Sequence, residues 1–207
     1  HFPTPQKLRD MKFKEYKLPS PYIVIDDFLT TEEYNSVMFE INELRPKMHK
    51  GKYQIGGKEK NMPKLKNNLN IWLDTEFKDR RQLSSILNMI SNRMWNDEMR
   101  NIITNTDSGI FRTYIHTNSD NTLLSAYNNG SFYNTHKDIA SGIFVTTNLM
   151  LGEGFKGGDF KLGSKIIPFK KNRLIMFESH KEHSVTKVQT DDNPKNWRYS
   201  IQYFAKL

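Results

Sequence analysis

A histidine and an aspartate stand two positions apart in the segment His136-Lys137-Asp138. On an extended strand, residues i and i+2 point to the same face, so the imidazole and the carboxylate can reach one metal ion. The sequence contains no cysteine, which excludes thiolate ligands and leaves imidazole and carboxylate as the metal-binding groups. A single His-x-Asp pair is a weak motif, because six histidines and 23 acidic residues make one such pair unsurprising.

A second histidine completes a candidate ligand set further along the chain. His183 follows the apolar segment 174–177, where the next strand is expected to begin. Two histidines and one carboxylate form the facial triad that suits non-haem Fe(II), because it leaves coordination positions open for other ligands. We therefore predict that His136, Asp138 and His183 bind one Fe(II) ion.

Arg198 is the candidate anchor for an anionic co-substrate. If residues 183–188 and 198–204 pair as an antiparallel hairpin, its guanidinium lies on a strand next to the iron, where it can bind a carboxylate bidentately. Ser200 shares the face of Arg198, and its hydroxyl can bind the same carboxylate. The alternative for Arg198 is a surface ion pair with an acidic residue of the preceding loop.

Helical patterns occupy the first half of the chain, and short β-type segments the second. A helix is predicted over residues 31–44, with Thr30 or Thr31 as its N-cap, and another over 76–103, where apolar residues recur at spacings of three and four. Strands are predicted at residues 110–116, 122–127, 143–151, 159–162, 165–169, 173–177, 183–188 and 198–204. This order indicates an α+β fold whose β part is a sandwich or jelly roll.

Much of the formal net charge of +8 lies between residues 45 and 66. Glycines interrupt this basic run, which is predicted to form a loop or hairpin. Three interpretations stay open, namely a solvated loop, a lid facing the substrate and a nucleic-acid patch. Tyr53 is the one aromatic residue of the run, and base stacking needs more, so a nucleic-acid partner is disfavoured.

The composition fits one domain of ordinary size. We expect an N-terminal arm at residues 1–20 and a single catalytic domain at residues 21–207, with its β core at about 109–207. No stretch approaches the apolar length of a membrane span. The missing cysteines are consistent with a reducing, cytoplasmic compartment.

Several segments together resemble the 2-oxoglutarate- and Fe(II)-dependent oxygenases, specifically their prolyl 4-hydroxylase-like branch. They are residues 22–33, residues 126–138, the turn Gly157-Gly158-Asp159-Phe160, residues 174–183 and the triplet Arg198-Tyr199-Ser200. Their order and spacing are more specific than any one of them.

The resemblance implies a double-stranded β-helix (jelly roll) with flanking N-terminal helices, in which the His-Asp-His set binds iron. It also implies that Arg198 binds the far carboxylate of 2-oxoglutarate and that Tyr127 faces co-substrate or substrate, although Tyr127 is as well explained as a core residue. Met150-Leu151 stands where relatives often carry Tyr-Leu, so a tyrosine hydroxyl is missing there. The sequence leaves open whether a reductant such as ascorbate is also needed.

The expected activity is hydroxylation of a C–H bond, in the first instance on a peptidyl proline or a similar protein side chain. The alternatives are hydroxylation of a free amino acid or other small molecule, oxidation of a nucleic-acid base, and a β-sandwich binding module without turnover. The sequence does not indicate the oligomeric state.

Overall fold

Two antiparallel sheets enclose an apolar interior, and helices cover the outer face of the larger sheet. The computed structural model of the chain describes residues 11–17, 20–55, 58–140 and 142–207. The strands are β1 (Lys12–Tyr16), β2 (Tyr22–Asp26), β3 (His49–Lys50), β4 (Tyr53–Ile55), β5 (Lys58–Lys60), β6 (Lys66–Asn67), β7 (Leu69–Trp72), β8 (Ser119–Tyr127), β9 (Phe132–His136), β10 (Ile143–Leu151), β11 (Lys156–Gly157), β12 (Phe160–Leu162), β13 (Lys165–Ile167), β14 (Arg173–Glu178), β15 (His183–Val185), β16 (Val188–Gln189) and β17 (Arg198–Lys206).

The predicted α+β jelly roll is confirmed. Within the described ranges, the large sheet has the strand order β1-β2-β14-β10-β17-β8-β7-β3, and the small sheet has the order β13-β12-β15-β9-β6. Side chains alternate across each strand. In β17, Tyr199 and Ile201 pack towards the helices, whereas Arg198, Ser200 and Gln202 occupy the alternate positions, which face the small sheet.

The helices are α1 (Thr31–Leu44), α2 (Leu73–Glu76), α3 (Ser85–Met94), α4 (Asp97–Thr104) and α5 (Gly109–Arg112). The first predicted helix is confirmed, and Thr30 and Glu33 form a capping box at its start. Among the described residues, no helix is both long enough and apolar enough to cross a bilayer.

The single helix predicted over residues 76–103 is wrong. The chain forms α3 and α4 with a break between them, because the Asn96 side chain accepts hydrogen bonds from the first backbone N–H groups of α4. The Ser84 hydroxyl caps α3 in the same way. Local capping therefore outweighs the continuous apolar pattern.

The strand predicted over residues 110–116 is also wrong. This segment consists of α5 and a 3₁₀ turn at Thr113–His116. The helical turns bury both Phe111 and Tyr114 in the core, and the Tyr114 hydroxyl donates a 3.1 Å hydrogen bond to the carbonyl of Met94. A spacing of three places both aromatic rings on one side of a helix, where a strand would separate them.

The predicted hairpin between residues 183–188 and 198–204 does not form. Strand β15 lies in the small sheet between β12 and β9, whereas β17 lies in the large sheet between β10 and β8. β17 pairs with β8 along all nine of its residues, from Arg198 to Lys206, and with β10 on its other side. Both edges of the strand are therefore already occupied. Arg198 consequently reaches the interior from the sheet opposite His183.

The N-terminal segment contributes to the large sheet. Residues 12–16 of the expected arm form β1, which pairs along its whole length with β2. Residues 1–10, 18 and 19 of that arm and two glycines of the basic run, Gly56 and Gly57, lie outside the described residues. The rest of the basic run contains the two-stranded hairpin β4–β5. The division into arm and domain stays a prediction.

Candidate metal centre

His136, Asp138 and His183 meet at one end of the interior. The two histidines face each other directly across the paired strands β9 and β15. Asp138 follows β9, and its backbone N–H donates a 2.9 Å hydrogen bond to the carbonyl of Ser179. One ligand atom from each of the three lies within 4.8 Å of the others, which brings the predicted set together in a group able to hold one ion.

The ring nitrogens of the two histidines are oriented in the same way. Nδ1 of His136 lies 2.9 Å from the carbonyl of Asn134, and Nδ1 of His183 lies 2.9 Å from the carbonyl of Lys181. A carbonyl only accepts hydrogen bonds, so each Nδ1 carries the proton and each Nε2 keeps its lone pair. Both Nε2 atoms point to Asp138, at 3.7 Å from Oδ1 for His136 and 3.3 Å from Oδ2 for His183.

The electrostatics favour the protonation states that a metal requires. Burial first, and the neighbouring His183 second, lower the pKa of His136 to about 3. Burial alone would raise the pKa of Asp138. The interactions with His183 and then with His136, and the hydrogen bond from Thr146, outweigh burial and bring this pKa below its ordinary value. A neutral imidazole and an ionised carboxylate are the ligand forms of these groups.

Aromatic rings hold the histidines in place. Tyr133 stacks on His136, with ring centroids 3.4 Å apart and planes 10° from parallel. Phe177 and Phe160 lie against His183, with centroid distances of 4.7 and 5.7 Å. These contacts fix the ring planes before any ligand binds, which is the condition for a preorganised centre.

Arg198 is fully buried, so the alternative of a surface ion pair is excluded. Its Nε donates a 2.8 Å hydrogen bond to the carbonyl of Gly158, while Nη1 and Nη2 have no partner among the described residues. The guanidinium lies 4.8 Å from the ring of Tyr127, its register partner on β8. Burial lowers the pKa of Arg198, with Tyr127 and Asp159 opposing the shift. A buried guanidinium with two free nitrogens is suited to a carboxylate ligand.

Ser200 and Tyr127 occupy neighbouring positions on the same inner face. The Ser200 hydroxyl accepts a 2.7 Å hydrogen bond from Nε2 of Gln202, whose Oε1 accepts a 3.1 Å bond from the Ser125 hydroxyl. The Ser200 hydroxyl proton can be donated to the neighbouring Tyr127 hydroxyl or to a ligand. Met150 packs into the apolar cluster between the sheets, at the register position beside Ser200. Tyr127 is buried and lines the cavity described next.

The three predicted ligands and Tyr127 open onto a cavity of about 820 Å³. Polar residues that the sequence did not single out as site residues also line it, among them Thr146, Asn148 and Gln202. The Asn148 Oδ1 is buried without a hydrogen-bond partner among the described residues, so it is available to a ligand. Thr146 and Asn148 occupy alternate positions of β10, and this period of two was the sequence signal that could have identified them.

Residues 122–206 match the model of the 2OG-Fe(II) oxygenase superfamily. The match runs from within β8 to the end of β17, the part of the chain that carries the site. The matched segment contains the whole His-Asp-His set and Arg198. The match and the convergent ligand set together support a 2-oxoglutarate-dependent dioxygenase, with Fe(II) and 2-oxoglutarate as its cofactors. The supported reaction class is hydroxylation.

Several solved structures share this fold over most of their length. A prolyl-4-hydroxylase from Pseudomonas putida matches with a TM-score of 0.66 and 14% identity, covering 98% of this chain and 96% of that one. The viral collagen prolyl hydroxylase of Paramecium Bursaria Chlorella virus-1, solved as a 2OG complex, matches with a TM-score of 0.58 and 16% identity, covering 89% and 95%. A 2OG-Fe(II) oxygenase family protein from Burkholderia pseudomallei gives 0.55 and 15%, covering 89% and 84%.

These likenesses show that the chain shares the fold of proteins described as prolyl hydroxylases. No curated protein sequence matches the chain.

Proposed function

We propose that His136, Asp138 and His183 hold Fe(II), that Arg198 anchors the far carboxylate of 2-oxoglutarate, and that the enzyme hydroxylates a peptidyl proline or a similar protein side chain. The observation that carries the proposal is the pairing of a convergent His-Asp-His set with a buried guanidinium that lacks an acidic partner among the described residues. Iron and 2-oxoglutarate together supply the oxidising power to convert a C–H bond to C–OH, with oxygen consumed and succinate and carbon dioxide released.

The residues of the chain contribute position and protonation state. The two Nδ1-to-carbonyl contacts aim Nε2 of His136 and of His183 at one point. Arg198 presents its guanidinium group from the opposite sheet, and Tyr127 and Ser200 lie beside it. The apolar residues Phe160 and Phe177 line the cavity beside His183 and give it an apolar wall there. In such enzymes the cofactor carries out the chemistry, and the protein supplies binding, orientation and electrostatics.

A protein substrate is supported by two observations. Similar folds include proteins described as prolyl hydroxylases, at 14% and 16% identity. In addition, the metal cavity is not closed, because a groove leaves it along the protein surface and shares lining residues with it. A free amino acid would need only the cavity.

The test is aerobic turnover with Fe(II), 2-oxoglutarate and proline-containing peptides, with succinate and oxygenated peptide both measured by mass spectrometry. We expect succinate formation that His136→Ala abolishes. His180→Ala is the matched control, because His180 is exposed, lies near His183 in sequence and is outside the site. Full activity of His136→Ala would refute the metal assignment. Hydroxylation of free proline without hydroxylation of any peptide would overturn the protein substrate.

A further inference from the structure

A groove of about 640 Å³ continues from the metal cavity across the strands β3 and β7. Groove and cavity share the lining residues Lys52, Lys66, Trp72, Thr75 and Leu123. A substrate with its reacting carbon at the metal can therefore extend without interruption into the groove. An extended chain fits this shape better than a compact metabolite does.

The groove is basic. Its charged lining residues are Lys47, Lys50, Lys52, Lys66 and Glu76. Lys47 forms an ion pair with Glu76, the one acid in that set. Among the described residues, neither Lys50 nor Lys66 has an acid within ion-pair distance. Lys50 and Lys66 therefore present positive charge that an anionic chain would neutralise.

Lys66 stands at the junction of groove and cavity. It is only 6% exposed, and its Nζ lies 4.6 Å from the centroid of the Tyr133 ring, which stacks on His136. On its other side it packs under Gly51, where an added Cβ would lie 2.7 Å from the Lys66 Cε. A buried ammonium group is costly unless it acquires a partner. A substrate carboxylate would give it an ion-pair partner, one aromatic ring away from a metal ligand.

We propose that the substrate is an acidic protein segment, with a glutamate or aspartate next to the hydroxylated residue bound by Lys66 and further acidic residues lying along the lysine groove. This inference rests on the proposed function, because it assumes that the reacting carbon sits at the His-Asp-His centre. Lys66 acts as a substrate-binding residue in this arrangement.

A nucleic-acid chain is the competing anionic ligand, and the groove suits it less well. Single-stranded nucleic acids bind through successive aromatic platforms on which bases stack. Trp72 is the aromatic residue among those that line this groove, and its ring is already packed against Phe204 with a centroid distance of 5.7 Å. Carboxylates need only the ammonium groups that are present.

The test is direct binding, measured by fluorescence anisotropy on the whole protein loaded with Mn(II) and 2-oxoglutarate without oxygen. The probes are a labelled proline peptide flanked by glutamates and the same peptide with glutamines. We expect the glutamate peptide to bind at least tenfold more tightly. Lys66→Met should remove most of this difference, because it keeps the aliphatic packing and deletes the charge, whereas Lys66→Arg should retain it.

Lys165→Met is the matched charge control, because it removes one positive charge as Lys66→Met does. Lys165 is exposed on β13, at the edge of the small sheet opposite the edge that carries Lys66, and it lines neither groove nor cavity. We expect it to bind the glutamate peptide with unchanged affinity. Equal affinity for both peptides in the unaltered protein would overturn the inference, as would tighter binding of a labelled oligonucleotide than of the glutamate peptide.

Succinate formation measured in the absence of peptide tests the proposed function separately from this inference. Succinate formation without charge-dependent peptide binding would refute only the inference of an acidic substrate. Charge-dependent peptide binding without any succinate formation would refute only the proposed function.

Discussion

The hydroxyl of Thr146 donates a 3.0 Å hydrogen bond to Oδ2 of Asp138, and so ties β10 of the large sheet to the candidate metal ligand beside the small sheet. The same hydroxyl lies 2.9 Å from the hydroxyl of Ser179, which donates to it. Both sheets thus take part in orienting one carboxylate. Partners that orient a metal ligand in this way tune metal affinity without touching the ion.

Thr146→Val should weaken metal binding by about tenfold or more, in the range found when such outer partners are removed. The substitution keeps the shape of the side chain and deletes the hydroxyl. Isothermal titration with Mn(II) measures the effect. Thr147→Val is the control, because the neighbouring side chain points to the opposite face, where it accepts a 3.3 Å hydrogen bond from the backbone of Tyr203. Equal affinities for the two variants would contradict this role of Thr146.

Arg198→Met should weaken 2-oxoglutarate binding by at least about 100-fold, because two charge-assisted hydrogen bonds of about 1.5–3 kcal/mol each are lost. Without 2-oxoglutarate the variant should be no less stable than the original protein, because it replaces a buried cation without an acidic partner by an apolar side chain. Thermal unfolding with and without 2-oxoglutarate checks both statements. A 2-oxoglutarate-dependent rise in Tm that survives in Arg198→Met would show that the carboxylate binds elsewhere.

Gly158→Ala should disturb the co-substrate anchor through direct contact. Gly158 has φ +72°, and an added Cβ would lie 2.6 Å from the Arg198 Cδ. Gly163→Ala is the control, with φ +56° and no heavy atom within 4 Å of the added Cβ. Both substitutions carry the left-handed backbone cost of about 1–2 kcal/mol, seen in chemical denaturation. Only Gly158→Ala should also raise the Kd for 2-oxoglutarate, and an equal rise in both would indicate a general loss of stability.

Peptide affinity should fall as pH rises from 7 to 9 in the metal-free protein. Burial lowers the pKa of Lys66 to about 8, with the facing carboxylate of Asp138 opposing the shift. The ammonium group that binds a carboxylate is therefore lost through this range. Burial raises the pKa of Tyr133 and lowers that of His136 to about 3, so neither of these neighbours changes charge between pH 7 and 9.

The Lys66→Arg variant gives the reference for this pH dependence, because a guanidinium stays protonated at pH 9. Anisotropy titrations with the glutamate peptide at pH 7, 8 and 9 should show falling affinity for the original protein and a flat profile for Lys66→Arg. A falling profile for both would assign the titration to another group.

The metal ligands could be predicted from the sequence because the features that identify them are close together in the chain. The pairing of β9 with β15 that joins them was not predicted, but the spacing of His136 and Asp138 and the apolar strand before His183 are short-range features. The same holds for α1, whose capping box is written in four consecutive residues. Such signals depend little on the rest of the fold.

The surroundings of the site depend on long-range pairing, which the sequence did not specify. The expected hairpin placed Arg198 beside His183, whereas β17 pairs with β8 and β10 in the other sheet. The role of Lys66 also needed the structure, because a lysine within a basic run gives no sign that it is buried against Tyr133. The break at Asn96 was missed because its capping side chain lies inside an otherwise continuous apolar pattern.

The most direct test of the account is an anaerobic titration of Fe(II) and 2-oxoglutarate, followed by the weak visible charge-transfer band of their complex. The unaltered protein and His180→Ala should develop the band. Asp138→Ala and His183→Ala should not, because each loses one of three convergent ligands. A band of full intensity in Asp138→Ala or His183→Ala, or none in the unaltered protein at saturating Fe(II) and 2-oxoglutarate, would contradict the assignment.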